Sequence, residues 1–413
     1  MQQPHDVNTR PLSRPAEQDA APLGTGPLAI VGGCGHVGLP LGLAFARKGY
    51  QVDLFDTSAE RVAQVNAGHM PFHEDDAEEL LKDTLARGLL KATTNTTALE
   101  DAAAIIVTIG TPVDEYLDPS VCEFDRSLQK LIEQVRPGQL LVLRSTVFPG
   151  VTDRLARQLE QMGRGDVDLA YCPERIVQGK SLVELEQLPQ LVAGTTQRAA
   201  ERAAALFKII TQKVIFLRPV EAELAKLFCN AWRYLNFAVS NQFYVMARHF
   251  DADFYRIYQA LREDYPRMAS FARPGFAAGP CLLKDTMQLG SFNHGSFVLG
   301  QAAMMVNEGL PYLLVQDLKR SYPLSEMTVG ILGMAFKPNN DDPRSSLSYK
   351  LRKVLLLEAR QVLCTDPYVP DPDLTPLAEV LERADLLVIG TPHDCYKGIT
   401  YRQPVIDITN TIK

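Results

Sequence analysis

The chain has 413 residues, 46% of them hydrophobic, enough for two or three domains with substantial cores. Its 42 basic and 49 acidic residues leave a net charge of -7, which gives no electrostatic footprint for nucleic acid or an anionic membrane and requires any anionic ligand to be held by a local site. The cysteines stand singly, at 34, 122, 172, 229, 281, 364 and 395, without a C-x-x-C pair; this excludes a disulfide framework or zinc ribbon and points to a reducing, cytoplasmic compartment.

Residues 1–26 are polar and proline-rich and lack the apolar run of a signal peptide, so they read as a disordered tail. Leu28-Ala29-Ile30-Val31 then reads as a buried strand, 38–48 as a helix stopped by Gly49, and 52–55 as a second strand. Further strands are expected at 105–109, 140–143 and 168–171, separated by helices such as 77–87 and 151–162. Strands alternating with helices predict a parallel sheet covered on both faces. Residues 221–250 hold neither proline nor glycine and predict one long helix, with more helix to about 261. A second α/β unit begins near Met327, with strands at 329–332, 361–364, 386–389 and 405–406 and helices at 349–358 and 377–383. No apolar run is long enough to cross a bilayer.

Gly33-Cys34-Gly35-His36-Val37-Gly38 matches G-x-G-x-x-G between a strand and a helix. The glycines let backbone approach a pyrophosphate, and the helix N-terminus supplies free N–H groups. Asp56 ends the next strand, where a carboxylate accepts both ribose hydroxyls and repels a 2′-phosphate, so NAD is expected rather than NADP. Lys226 and Asn230 stand four apart on the long helix, hence on one face and about 6 Å apart along the axis, an arrangement suited to stabilising an oxyanion. Cys281 lies among small residues and is followed by Lys284 and Asp285, charges that can lower a thiol pKa from about 8.5 or orient water. A thiolate beside a hydride acceptor suggests addition to an aldehyde, oxidation to a thioester and hydrolysis to a carboxylate. His69 and His73, with Pro71 between them, read as a solvated loop rather than a metal site, and His393 as structural or near the substrate.

These residues place the chain in a pattern that resembles the nucleotide-sugar 6-dehydrogenases: the UDP-glucose, GDP-mannose and UDP-N-acetylhexosamine dehydrogenases. The resemblance runs from about Pro27 to the C-terminus. It rests on the glycine turn with Asp56 and Arg61, Gly110-Thr111-Pro112-Val113-Asp114, Arg144-Ser145-Thr146-Val147-Phe148-Pro149-Gly150, and Cys172-Pro173-Glu174-Arg175. It rests further on Glu223-Leu224-Ala225-Lys226 with Asn230, the Cys281–Asp285 segment, and Gly333-Met334-Ala335-Phe336-Lys337-Pro338 with Asp341, Asp342 and Arg344.

The resemblance implies two Rossmann-like doubly wound domains joined by a long central helix. The expected parts are an NAD-binding domain over 27–217, a central helical domain for catalysis and dimerisation over 218–324, and a nucleotide-sugar-binding domain over 325–413. It implies that Cys281 forms the thioester, that Lys226 and Asn230 stabilise the oxyanion, that Thr146 and Asp285 hold the catalytic water, and that Glu174 assists proton transfer and hydrolysis. The cofactor residues it implies are Gly33, Gly35, His36, Val37, Gly38, Asp56, Arg61, Thr111, Thr146, Lys284 and Arg344. The substrate residues are Glu174, Lys226, Asn230, Phe276, Gly279 and Lys337, with Arg267 reaching the substrate of a neighbouring subunit. It further implies a homodimer or higher homo-oligomer, with the long helix at its interface, and no nucleic-acid or membrane partner.

The chain departs from the pattern in places. Glu74-Asp75-Asp76-Ala77 replaces the usual Glu-Pro-Gly-Leu, Ala278-Gly279 with Pro280 replaces a glycine pair before the thiol, and Thr409 stands near where the family carries an arginine. Cys172 to Ile176 and Arg233 are similar to the UDP-N-acetylhexosamine branch, Lys284-Asp285 to the UDP-glucose and GDP-mannose branch. A UDP-sugar is expected, with the hexose open; the product would be a uronic acid used as a polysaccharide or glycoconjugate precursor. The rival readings are a two-electron β-hydroxyacid-type dehydrogenase and a non-catalytic NAD or nucleotide-sugar binding protein.

Overall fold

The computed structural model describes residues 26–111, 121–277 and 279–412. The tail expected over 1–26, apart from Gly26, lies outside these residues, as do Pro112-Val113-Asp114 and Ala278. Leaving 112–121 aside, the chain divides into two compact units between Leu224 and Ala225, in the second turn of the long helix Pro219–His249.

In the first unit, eight strands form one sheet: β1 (Leu28–Val31), β2 (Val52–Phe55), β3 (Leu90–Thr93), β4 (Ala104–Val107), β5 (Leu140–Leu143), β6 (Asp168–Tyr171), β7 (Gln190–Gly194) and β8 (Val214–Phe216). Their order is β3-β2-β1-β4-β5-β6-β7-β8. β1 pairs in parallel with β2 on one side and β4 on the other, Leu28 lying opposite both Val52 and Ala104. The chain therefore reverses its winding at β1, and the loops after β1 and β4 open a crevice at the strands' carboxyl ends. Strand pleating explains the apolar runs: Leu28 and Ile30 enter the core on one face, Ala29 and Val31 the core on the other. One expectation needs correction. The sheet is not wholly parallel, because β7 pairs antiparallel with β6.

In the second unit, β9 (Thr328–Leu332), β10 (Gln361–Thr365), β11 (Leu386–Ile389) and β12 (Val405–Ile406) form a parallel sheet in the order β10-β9-β11-β12. This is again a doubly wound arrangement, with its switch point between β9 and β11. The rest of the unit is helical. The long helix ends at His249 and more helix follows to Arg262, as expected: Asp251 adopts φ 52° at the break, and the second helix, Phe254–Arg262, starts with the Asp253 carboxylate accepting from the Tyr255 and Arg256 N–H groups. The helix Leu282–Phe292 follows Cys281, and the 24-residue helix Val298–Ser321 packs beside it and beside the helix Leu347–Glu358. No described helix is long and apolar enough to cross a membrane.

Candidate active site

The first unit holds the dinucleotide turn. A Cβ on Gly33 would stand 2.7 Å from the Leu54 backbone of β2, and one on Gly38 would stand 2.4 Å from the Gly32 carbonyl oxygen, so the turn closes only without side chains at these positions. A Cβ on Gly35 would meet only the Gly32 oxygen, at 3.3 Å. The Thr108 hydroxyl, from the loop after β4, donates to the carbonyls of Val31 and Gly32 at 2.8 and 3.2 Å and bridges the switch point.

The helix Gly38–Arg47 starts at Val37 with no side-chain cap, so its positive end is open to an anion. His36, inside the turn, stacks on Phe72 with centroids 4.1 Å apart. Asp56 accepts from the Cys34 N–H at 3.1 Å and from the Ser58 N–H at 3.0 Å, which aims its carboxylate across the turn. Arg61 is exposed on the helix Ala59–Asn66. A small-residue turn, an uncapped helix and an oriented carboxylate fit the pyrophosphate and ribose of a dinucleotide. Thr111 and Thr146 are half-buried at the carboxyl ends of β4 and β5.

Beyond β6, Glu174 is buried and accepts from three donors. Its Oε1 accepts from the Arg175 and Ile176 N–H groups at 2.6 and 2.8 Å, and its Oε2 accepts from Arg144. Arg144 is 1% exposed, stacks over Phe207, and donates also to Gln190 and to the Cys172 carbonyl. Three donors hold Glu174 as an oriented carboxylate. Glu223 is fully buried and accepts from the N–H of Gly150 and from the N–H and hydroxyl of Thr152, capping the helix Val151–Gln161. Arg144 and Glu223 stand in the family motifs with no role of their own assigned; a charged residue set inside an apolar segment is the signal that marks both.

The second unit gathers the thiol and its charges. Cys281 is the N-cap residue of Leu282–Phe292, and the Asp285 N–H donates to its carbonyl at 2.9 Å. Asp285 is fully buried: its Oδ2 accepts from the Asn230 amide at 2.5 Å, and Lys284 Nζ stands 3.4 Å from its Oδ1. Lys226 and Asn230 are both buried on the long helix. Asn230 thus spends one N–H on Asp285, which leaves the other for an oxyanion.

The expectation of a lowered thiol pKa is corrected. Although Cys281 is exposed by surface, the surrounding protein desolvates the thiolate and Asp285 repels it, so its pKa is raised; Lys284, Lys226 and Arg344 oppose that rise. Arg344 is held in a fork by Asp342, at 2.6 to 3.1 Å.

The loop before the thiol is tied down on two sides. The Asn241 carboxamide donates to the Gly275 carbonyl at 3.0 Å and accepts from its N–H at 2.8 Å, while Ser240 donates to the Ala272 carbonyl. Phe276 is half-buried and packs against the core of the β9–β12 sheet. Thr409 lies against Gly275, and Arg273 of the same loop donates to the carbonyls of Thr409 and Asn410. Gly279 has φ 106° and sits against the Phe336 ring. Lys337 is half-buried, with Nζ 5.9 Å from the Phe336 ring centroid. Arg267 is exposed, its guanidinium over the Tyr265 ring.

His393 is structural. It is fully buried, accepts from the Asn339 N–H at Nδ1 and faces Asp366 with Nε2 at 2.9 Å. Asp366 ends β10 as Asp56 ends β2, but it already accepts from the N–H groups of Met334, Ala335, Tyr368 and Val369. The acid that accepts from two N–H groups after β2 has a counterpart after β10 that accepts from four. His73 lies 3.3 Å from Asp75.

The sequence matches the UDP-glucose/GDP-mannose dehydrogenase family in three segments: its NAD binding domain over residues 28–211, its central domain over 220–308 and its UDP binding domain over 330–413. The chain belongs to this family. It is 31% identical over 400 residues to a UDP-N-acetyl-D-mannosamine dehydrogenase of Pyrococcus horikoshii, covering 92% of this chain and 95% of that protein. A solved structure of the P. horikoshii UDP-D-ManNAc dehydrogenase matches with a TM-score of 0.85 over 94% of this chain and 96% of that one, at 30% identity. The UDP-glucose dehydrogenase of Pyrobaculum islandicum matches with a TM-score of 0.86 at 26% identity, over 95% of each chain. As a member of the UDP-glucose/GDP-mannose dehydrogenase family, this chain is an NAD-dependent nucleotide-sugar dehydrogenase.

Proposed function

We propose that the protein oxidises the C6 alcohol of a UDP-sugar to the carboxylate, taking four electrons and passing them to two NAD. The observation that carries this reading is the gathering of Cys281, Lys226, Asn230, Asp285, Lys284 and Arg344 in one unit. A dehydrogenase that stopped at a carbonyl would need no thiol. NAD, held at Gly33, Gly35, His36, Val37, Gly38, Asp56, Arg61, Thr111 and Thr146, with Lys284 and Arg344, supplies the hydride acceptor.

Cys281 adds to the C6 aldehyde, forming a C–S bond, and the oxyanion is met by Lys226 and the free N–H of Asn230. Loss of hydride from that adduct leaves a thioester. Water held by Thr146 and Asp285, assisted by Glu174, breaks the C–S bond and returns the thiol with a uronate. Lys337 binds the nucleotide portion. At the thiol, Lys284, Lys226 and Arg344 favour the thiolate, while burial and Asp285 oppose it.

UDP-N-acetyl-D-mannosamine is the favoured substrate, because relatives 31% and 28% identical to this chain carry that name and the Cys172 to Ile176 segment agrees with that branch. The product, a UDP-uronic acid, suits polysaccharide precursor synthesis. A screen of NAD reduction against UDP-N-acetylmannosamine, UDP-N-acetylglucosamine, UDP-glucose and GDP-mannose tests this; turnover confined to GDP-mannose contradicts it.

The working form is a homodimer. The long helix presents Phe228, Trp232, Val239, Phe243 and Met246, and Phe250 follows just past its end; each is 44 to 82% exposed, and together they form a stripe at helical spacing that a second copy would cover. Arg267 would then reach the partner's substrate.

A further inference from the structure

Gly279 is two residues before the thiol and has φ 106°, a region that side chains rarely adopt. A Cβ there would lie 2.6 Å from Cδ2 and 2.9 Å from Cε2 of Phe336. The Phe336 ring therefore occupies the space that residue 279 leaves empty. The Gly279 N–H also donates to the Ser345 carbonyl at 3.4 Å, so both ends of the loop that follows β9 touch the thiol turn. That loop carries Lys337 next to Phe336, with the ammonium toward the same ring. On its other side the thiol turn continues from the loop fixed to the long helix by Asn241 and Ser240. With one end of the segment anchored by Asn241, the face toward Phe336 determines where residue 281 sits.

We infer that Phe336 is a positioning residue, which seats the Cys281 turn against the Lys337 loop so that occupation of the nucleotide site sets the thiol in place. The inference rests on the proposed reading of Cys281 and Lys337. Its physical content is linkage: a nucleotide that orders the loop through Lys337 shifts the thiol turn's population only through contacts between them, and the ring against Gly279, beside the Gly279–Ser345 hydrogen bond, is such a contact.

The test uses the full-length protein, with UDP as probe. Carbamidomethylation of Cys281 by iodoacetamide is followed by peptide mass spectrometry, with and without saturating UDP. In the wild type, UDP slows labelling by about threefold or more, because an ordered turn offers the thiol less often. In Phe336→Ala, calorimetry still shows UDP binding, UDP no longer changes the labelling rate, and kcat falls by about tenfold with the KM for the sugar changed much less. Phe336→Leu recovers part of both effects and serves as the second variant if Phe336→Ala unfolds. In a Gly279→Ala background, Phe336→Ala lowers activity much less than it does in the wild type, because the Cβ has already displaced the ring, while the left-handed strain at residue 279 remains.

UDP protection that persists in Phe336→Ala is steric shielding and overturns the inference, as does a wild-type labelling rate indifferent to UDP. The underlying reading fails separately: wild-type enzyme labelled at Cys281 would then keep its activity, whatever Phe336 does.

Discussion

At the scale of single residues, the thiol is the most constrained group. Its pKa is raised by desolvation first and by Asp285 second, and is opposed by three cations. Removing a negative neighbour stabilises the thiolate, so Asp285→Asn moves the pH profile of Cys281 alkylation to lower pH. Lys226→Met removes a positive neighbour and moves it to higher pH. Stopped-flow labelling between pH 6 and 11 reads both directions; equal profiles would show that the charges do not reach the sulfur.

The types of these residues were legible from sequence because motif spacing carries them. The sign of the thiol shift was not, because it depends on how deeply atoms from distant segments surround the sulfur. Asn241 gave no signal and Phe336, though it stands in a family motif, gave no role, for a related reason: an asparagine in a helix and a phenylalanine in a loop touch the thiol's approach only when folding brings Gly275 and Gly279 to them.

At the scale of elements, the apolar four-residue strands β1, β2, β4, β5 and β6 stood out because both faces are buried. β3, β7 and β8 did not: Leu90-Lys91-Ala92-Thr93 alternates in burial, and Val214-Ile215-Phe216 is a short edge. The antiparallel turn of β7 is fixed by its crossover, which leaves no local pattern. The helix Val298–Ser321 was hidden by Gly300, Gly309 and Pro311, breakers that burial against neighbouring helices overrides.

Two predictions belong here. Asp76 begins the helix Ala77–Ala86 with φ 58°, where the family pattern has glycine. Relief of about 1 kcal/mol of left-handed strain against a smaller entropic cost makes Asp76→Gly stabilising by about 0.5 kcal/mol, read by urea unfolding. A loss of stability would show that the carboxylate makes a compensating contact. Glu223→Ala leaves the N–H groups of Gly150 and Thr152 buried without their acceptor and costs about 3 kcal/mol in the same assay.

At the scale of the whole molecule, two doubly wound sheets use one design differently. Asp56 accepts from two backbone N–H groups, while Asp366 accepts from four and also faces His393. Burial raises the Asp366 pKa, but the His393 hydrogen bond and charge and the backbone N–H groups outweigh it, so the folded-state value lies below 3.8. A depressed carboxylate pKa stabilises the fold above the unfolded value, and that stability is lost as pH falls through the folded value. Asp366→Asn should therefore lower stability at neutral pH and flatten the stability loss below about pH 4, as followed by circular dichroism. A variant as acid-labile as the wild type would assign acid unfolding elsewhere. Trp232→Glu places a charge on the exposed stripe of the long helix and should yield monomers in light scattering; an unchanged dimer would move the interface to another face.

The central claim is that one protein carries a sugar alcohol through an aldehyde to a carboxylate on the Cys281 sulfur. The most direct measurement is the NADH yield per UDP-sugar consumed at completion, for the wild type and for Cys281→Ser. Two NADH per sugar in the wild type, with no steady turnover to uronate in the variant, is the result expected. One NADH per sugar, or a variant that still releases two, would contradict it.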